Sequence, residues 1–107
     1  MVKKLKKETR VAFVDCINHD IIITIIFRGC WINGICIKKG IKNYNELISW
    51  LMEEGYYYEI CGFYFTENIK KIFGDQSNLP IMKTCKRNID SAKVIIEGIK
   101  KWLKPIS

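Results

Sequence analysis

The chain has 107 residues, of which 49% are hydrophobic and 27% charged, and its formal net charge is +7. This composition predicts one domain with a substantial core and excludes an intrinsically disordered chain, which would contain far fewer apolar residues. The apolar run Ile21–Phe27 is too short to span a bilayer, and no apolar signal-peptide segment follows the charged start. We therefore expect no membrane association and a cytoplasmic location, in the protein's own cell or in a host cell.

Charge is segregated along the sequence. Between Asn43 and Glu67 there are five acids and no Lys or Arg, whereas the rest of the chain holds all 18 bases and the other six acids. Patches of one sign steer partners more effectively than mixed surfaces do. The composition also contains 20 Ile and 15 Lys but only two Ala, a skew typical of AT-rich genomes, including those of many viruses and mobile elements.

The first half of the chain predicts a sheet. Residues 1–8 are expected to form a flexible basic arm ahead of a single domain at 9–107. A first strand is predicted over Thr9–Ile17, and Asn18–Asp20 has the composition of a turn. Ile21–Arg28 is nearly all apolar and β-branched, which favours a central strand buried on both faces.

The strongest local turn signal is Asn33-Gly34, which lies between two apolar segments. Asn-Gly in this context is typical of a type I′ hairpin, because both residues tolerate positive φ. The sequence therefore predicts a hairpin at Asn33-Gly34, a bulge at Gly29, and a β-meander that ends near Lys39.

The second half alternates helices with one strand. Asn43 and Glu46 resemble a helix N-terminus, and Gly55 ends the amphipathic helix that follows. Aromatic residues then predict a strand at 56–65. A short helix capped by Thr66 and ended by Gly74, a long loop at 75–87 and a final helix at 89–103 complete the chain.

These elements predict an α+β fold. Its four-stranded, mainly antiparallel sheet would combine the β-meander with one further strand. Two longer helices and one short helix would pack on one face of that sheet.

The cysteines and the histidine are the residues that could bind a metal ion or carry catalysis. Cys16 and His19 form a C-x-x-H pair, and Cys30 and Cys36 follow, which is a ligand set that zinc could use. The predicted hairpin places Cys30 and Cys36 on opposite faces of the sheet, so we expect packed thiols and no metal site. His19 is the chain's one histidine, and no catalytic motif accompanies it. We therefore predict no enzymatic activity and no cofactor.

Asp15 follows an apolar segment, and the sequence allows either a buried acid or a residue at a strand edge. The unpaired edge of a strand would also allow a homodimer.

A partner protein is the main functional expectation. The acidic segment would present Glu46, Glu53, Glu54 and Glu59 as a docking patch for a basic surface. The small size, the coding skew and the polarised charge fit a non-catalytic inhibitor or adaptor encoded by a virus or mobile element. An anti-defence protein of the anti-CRISPR type is an example of that class.

The alternative is a small basic protein that binds DNA or RNA. Its phosphate contacts would come from the lysine arm and from bases near the meander, with strand aromatics as stacking platforms. The predicted nucleic-acid-binding residues are Lys3, Lys4, Lys6, Lys7, Arg10, Lys38, Lys39 and Trp31.

Overall fold

The computed structural model describes residues 9–74 and 78–102. Its elements, in chain order, are the strands β1 (Arg10–Ile17), β2 (Ile21–Arg28) and β3 (Trp31–Lys39), helix α1 (Tyr44–Glu53), a 3-10 turn (Tyr57–Glu59), strand β4 (Ile60–Phe65), and helices α2 (Glu67–Phe73) and α3 (Lys86–Trp102). The strand order is β3-β2-β1-β4, and β4 runs parallel to β1 while the other pairs are antiparallel. The predicted α+β class is confirmed. The predicted arm at 1–8 lies outside the described residues.

The helices cover both faces of the sheet, so the prediction that they pack on one face is wrong. Alternate residues of β1 and β2 point to opposite sides, and each side has its own apolar cluster. Helices α1 and α2 complete the first cluster, around Val14 and Ile26, and α3 completes the second, around Phe13 and Ile25. Cover on both faces is required because β1 and β2 are apolar on both.

The hairpin predicted at Asn33-Gly34 is also wrong, because both residues lie inside β3. The turn between β2 and β3 is Gly29-Cys30, with Arg28 opposite Trp31 and Gly29 at φ +61°. Gly29, predicted as a bulge, is therefore a turn residue. The bulge lies at Asn33, since Gly34 pairs with Ile26 and Ile32 pairs with Phe27.

Tertiary packing explains the glycine at position 34. A Cβ atom at Gly34 would clash with the Tyr56 ring, lying 2.7 Å from its Cζ atom. Gly34 is thus required for close approach of an aromatic side chain rather than for a turn.

The predicted ends of the first two helices are confirmed. The Asn43 side chain accepts a hydrogen bond from the Glu46 N–H at 2.8 Å, and Gly55 follows α1 at φ +83°. Thr66 caps α2, and its hydroxyl also donates to the Asp15 carboxylate at 2.7 Å. Asp15 is therefore a half-buried acid that joins β1 to the start of α2.

Two other boundaries differ from prediction. Strand β4 begins at Ile60 because Tyr57–Glu59 form a 3-10 turn, and α3 begins at Lys86, before the predicted start. Asn88, in the first turn of α3, is 3% exposed and donates to the Gly29 carbonyl at 2.9 Å. This bond holds the start of α3 against the turn that precedes β3.

The two edges of the sheet differ. Along β4, Phe63 N–H donates to the Pro80 carbonyl at 2.8 Å, and Met82 N–H donates to the Phe63 carbonyl at 2.9 Å. The segment around Ile81 therefore covers that edge. At the opposite edge, β3 pairs with β2 on one side and with no other strand of the described residues.

Candidate interaction surface

The open edge of the sheet is apolar. Ile32, Ile35 and Ile37 of β3 are 46%, 44% and 45% exposed. They pair with Phe27, Ile25 and Ile23, which belong to the cluster covered by α3. The three side chains therefore share the α3 face of the sheet.

The bulge at Asn33 is what brings Ile32 onto this face. Side chains alternate along a regular strand, so Ile32 would otherwise lie on the same face as Cys36. The extra residue shifts the alternation, and Ile32 becomes aligned with Ile35 and Ile37. The result is a continuous stripe of β-branched residues along a nine-residue strand.

Helix α3 forms a wall beside this stripe. It packs over β1 and β2, leaving an open groove of about 680 Å³ between Ile32 and the helix side chains Val94 and Ile95. Val94 is 72% exposed. We call the five residues Ile32, Ile35, Ile37, Val94 and Ile95 the edge surface.

Both ends of the edge surface are basic. Lys86 and Arg87 line the groove where α3 begins. At the other end, Lys39 closes β3 on the α3 face, since it pairs with Ile21. Helical spacing places Lys101 on the same side of α3 as Arg87 and Val94.

The predicted acidic patch is divided in the structure. Glu46 and Glu53 line one shallow pocket on the outer side of α1, together with Lys38. Glu54 lies close enough to Cys36 to affect its ionisation, and Glu59 forms an ion pair with Arg10 at 3.8 Å. Lys38 and Arg10 thus offset part of the patch.

The predicted nucleic-acid residues are also dispersed. Trp31 and Lys39 stand at opposite ends of β3, and Lys39 pairs with Asp20 at 3.7 Å. Lys38 lies among the acids of α1, and Arg10 is paired with Glu59. Lys3, Lys4, Lys6 and Lys7 lie outside the described residues. Of the predicted aromatic platforms on residues 56–65, Tyr58 is exposed, and Tyr64 stacks on Phe13 with ring centroids 5.3 Å apart.

The candidate zinc ligands are not gathered. Cys16 and Cys36 are buried, Cys30 is exposed in the β2–β3 turn, and His19 is exposed in the β1–β2 turn. Across residues 9–74 and 78–102, no group of three or more His, Cys, Asp or Glu residues could hold a metal ion. The predicted placement of Cys30 and Cys36 on opposite faces of a hairpin is wrong, because Cys30 lies in the β2–β3 turn and is not part of a strand.

Burial controls the chemistry of the two core thiols. It raises the pKa of Cys36 to about 11, with a smaller contribution from the carboxylate of Glu54. Burial, followed by the charge of Asp15, also raises the pKa of Cys16. Both thiols are therefore protonated at neutral pH and are weak nucleophiles.

The residues of the edge surface had a partial signal in the sequence. The alternation of Ile35 and Ile37 predicts a strand, but as the second strand of a hairpin at Asn33-Gly34. Val94 and Ile95 sit beside the predicted apolar stripe of α3, and a second apolar side on that helix is the signal that could have identified the wall of the groove.

Comparison with known proteins gives no match: no family model, no curated protein and no solved structure resembles this chain. Among the helices that the structure describes, none is both long and apolar enough to cross a membrane.

Proposed function

We propose that this chain is a non-catalytic binding protein that occupies the surface of a partner protein, and that it does so through the edge surface. The observation that carries the proposal is the contrast between the two sheet edges. The β4 edge is bridged at Phe63 by the segment around Ile81, whereas the outer side of β3 is paired with no strand of residues 9–74 and 78–102.

An open edge of this kind favours strand addition. Its free N–H and C=O groups can pair with an extended segment, and alternate side chains of that segment can contact the neighbouring face. Proteins usually protect such edges with charges, proline or a covering element. In β3 the charges are confined to its end, at Lys38 and Lys39, so Ile32–Ile37 remains available.

Burial and a raised pKa make Cys16 and Cys36 poor nucleophiles, so neither of these two thiols is a candidate for nucleophilic catalysis. An inhibitor or adaptor needs no chemistry, because it acts by covering a surface that its target uses. The small size and the excess of Ile and Lys over Ala, which is typical of AT-rich genomes, are the grounds for proposing a viral or mobile-element protein of the anti-defence class.

Selection from a phage-displayed library of random peptides tests the proposal. Ile35→Lys places a charge on the edge surface, and Ile81→Lys is a matched control, since Ile81 is 61% exposed on the opposite edge. Wild type and Ile81→Lys should enrich the same peptides, and Ile35→Lys should lose them while keeping its circular dichroism spectrum. Equal enrichment by Ile35→Lys, or no enrichment by wild type, would contradict the proposal.

Fluorescence anisotropy with labelled DNA and RNA over a salt series tests the competing function. The proposal predicts weak binding that disappears by physiological salt, because the described bases among the predicted nucleic-acid-binding residues are dispersed over the fold. Tight binding that persists at that salt would favour the nucleic-acid alternative instead.

A further inference from the structure

We infer that the partner segment bound by the edge surface is an extended strand with apolar, β-branched residues at its centre and acidic residues at both ends. This inference rests on the proposed function and specifies the chemistry of the ligand. It follows from how apolar and charged groups are arranged along the groove.

The centre of the site selects apolar side chains. Ile32 lines the groove together with Val94 and Ile95, and exposed Ile35 and Ile37 continue the apolar stripe along β3 on the same face. A strand paired with β3 would direct every second side chain onto this face. Burying those side chains against exposed Ile and Val removes apolar area from water on both partners, which favours binding.

The ends of the site select acids. At one end Lys86 and Arg87 outnumber Asp90, which pairs with Lys86 at 3.3 Å. At the other end Lys39 closes β3 on the α3 face, and Asp20 pairs with Lys39 at 3.7 Å. These ion pairs are solvent-exposed and therefore weak, so the bases are available to carboxylates of a bound segment.

A second copy of this chain is a poor occupant. Two identical edge strands related by a two-fold axis pair antiparallel, so the start of one β3 meets the end of the other. Lys86 and Arg87 of one copy would then approach Lys39 of its partner. Like charges placed opposite one another destabilise strand pairing.

The chain's own first residues are a poor occupant for the same reason. Residues 1–8 contain four Lys and one Glu, so they carry the same sign of charge as both ends of the groove. Charge complementarity therefore favours a segment from another protein.

Synthetic peptides test the inference directly. The first has a core of alternating Thr and Val with a pair of Glu at each end, and the second has Lys in place of Glu. By anisotropy at low salt, the Glu-flanked peptide should bind about tenfold more tightly than the Lys-flanked one, because the same basic residues attract the first peptide and repel the second. A third peptide has the Glu-flanked sequence with methyl groups on alternate backbone nitrogens. It should not bind, because the methylated nitrogens cannot donate hydrogen bonds to β3.

Charge reversal on the protein provides the matched control. Arg87→Glu combined with Lys39→Glu should remove or invert the preference for Glu-flanked peptide. Lys71→Glu combined with Lys83→Glu makes the same change in net charge away from the groove and should leave the preference intact.

The possible failures are distinguishable. Equal binding of the Glu- and Lys-flanked peptides, lost in Ile35→Lys, would overturn the inference and leave strand addition in place. A dimer in sedimentation analysis that Ile35→Lys dissociates would also overturn it, in favour of a second copy. Absence of binding by both peptides would overturn the inference, while the library selection would separately decide the proposed function.

Discussion

The side-chain amide of Asn88 donates a hydrogen bond to the carbonyl oxygen of Gly29 at 2.9 Å and thereby joins helix α3 to the β2–β3 turn. The same amide donates to the Thr84 hydroxyl at 3.0 Å. Both bonds lie where the groove begins, between the first residues of β3 and the first turn of α3. Asn88 therefore fixes the spacing between the floor and the wall of the edge surface.

Asn88→Ala should lower the free energy of unfolding by about 1–3 kcal/mol, because it removes a buried amide that bonds to the half-buried Gly29 carbonyl and to the Thr84 hydroxyl. Urea denaturation measures the change. Asn45→Ala, at an exposed position of α1, is the matched control and should change stability by less than about 0.5 kcal/mol. Equal effects of the two substitutions would contradict the role assigned to Asn88.

Gly34→Ala should destabilise the protein by about 1–3 kcal/mol, since the added Cβ meets the ring of Tyr56. The cost should shrink in a Tyr56→Ala background, where the space above Gly34 is empty. A double-mutant cycle measured by thermal or urea unfolding gives this coupling. Additive effects would show that the ring does not determine the need for glycine.

Thr24→Val should raise stability by about 1 kcal/mol. Thr24 is fully buried in the central strand β2, and its hydroxyl has no hydrogen-bond partner among the residues described. Valine has nearly the same shape and carries no polar group that needs a partner. A lower urea midpoint for Thr24→Val would indicate that the hydroxyl is satisfied in solution.

Stability should fall as the pH rises from about 9 to about 11. Burial and the Glu54 carboxylate raise the pKa of Cys36 to about 11, so over this range the unfolded chain has lost a proton that the folded chain still holds. Unfolding therefore becomes more favourable with rising pH. Urea midpoints should decline less steeply in Cys36→Ala than in wild type, and identical slopes would argue against a protonated core thiol.

Local sequence signals were sufficient for much of the fold. The caps at Asn43 and Thr66 were predictable because capping depends on residues three positions apart. The buried strand Ile21–Arg28 was predictable from its composition. That same composition already required cover on both faces, which conflicts with a prediction of helices on one face.

Features of the fold that depend on long-range packing could not be predicted from the sequence. Asn33-Gly34 has the composition of a hairpin turn, but both residues lie in β3, and Tyr56, distant in sequence, occupies the space over Gly34. The edge surface could not be predicted for the same reason. Its exposure depends on which strand lies at the sheet edge, and its alignment depends on the bulge at Asn33.

The acidic segment illustrates a further limit of composition. Five acids without a base are evident in the sequence, but Arg10 and Lys38 reach the patch only through the fold. Charge runs therefore predicted a docking patch more uniform than the one that the structure contains.

Amide hydrogen exchange of β3, with and without the Glu-flanked peptide, reports whether a bound strand pairs with this edge of the sheet. Strand addition predicts that alternate backbone amides between Ile32 and Lys38, those that point away from β2, become protected, while the amides of β4 and α1 are unchanged. Protection at α1 around Glu46 and Glu53, with β3 unaffected, would contradict strand addition at β3. It would instead favour the acidic patch as the binding site.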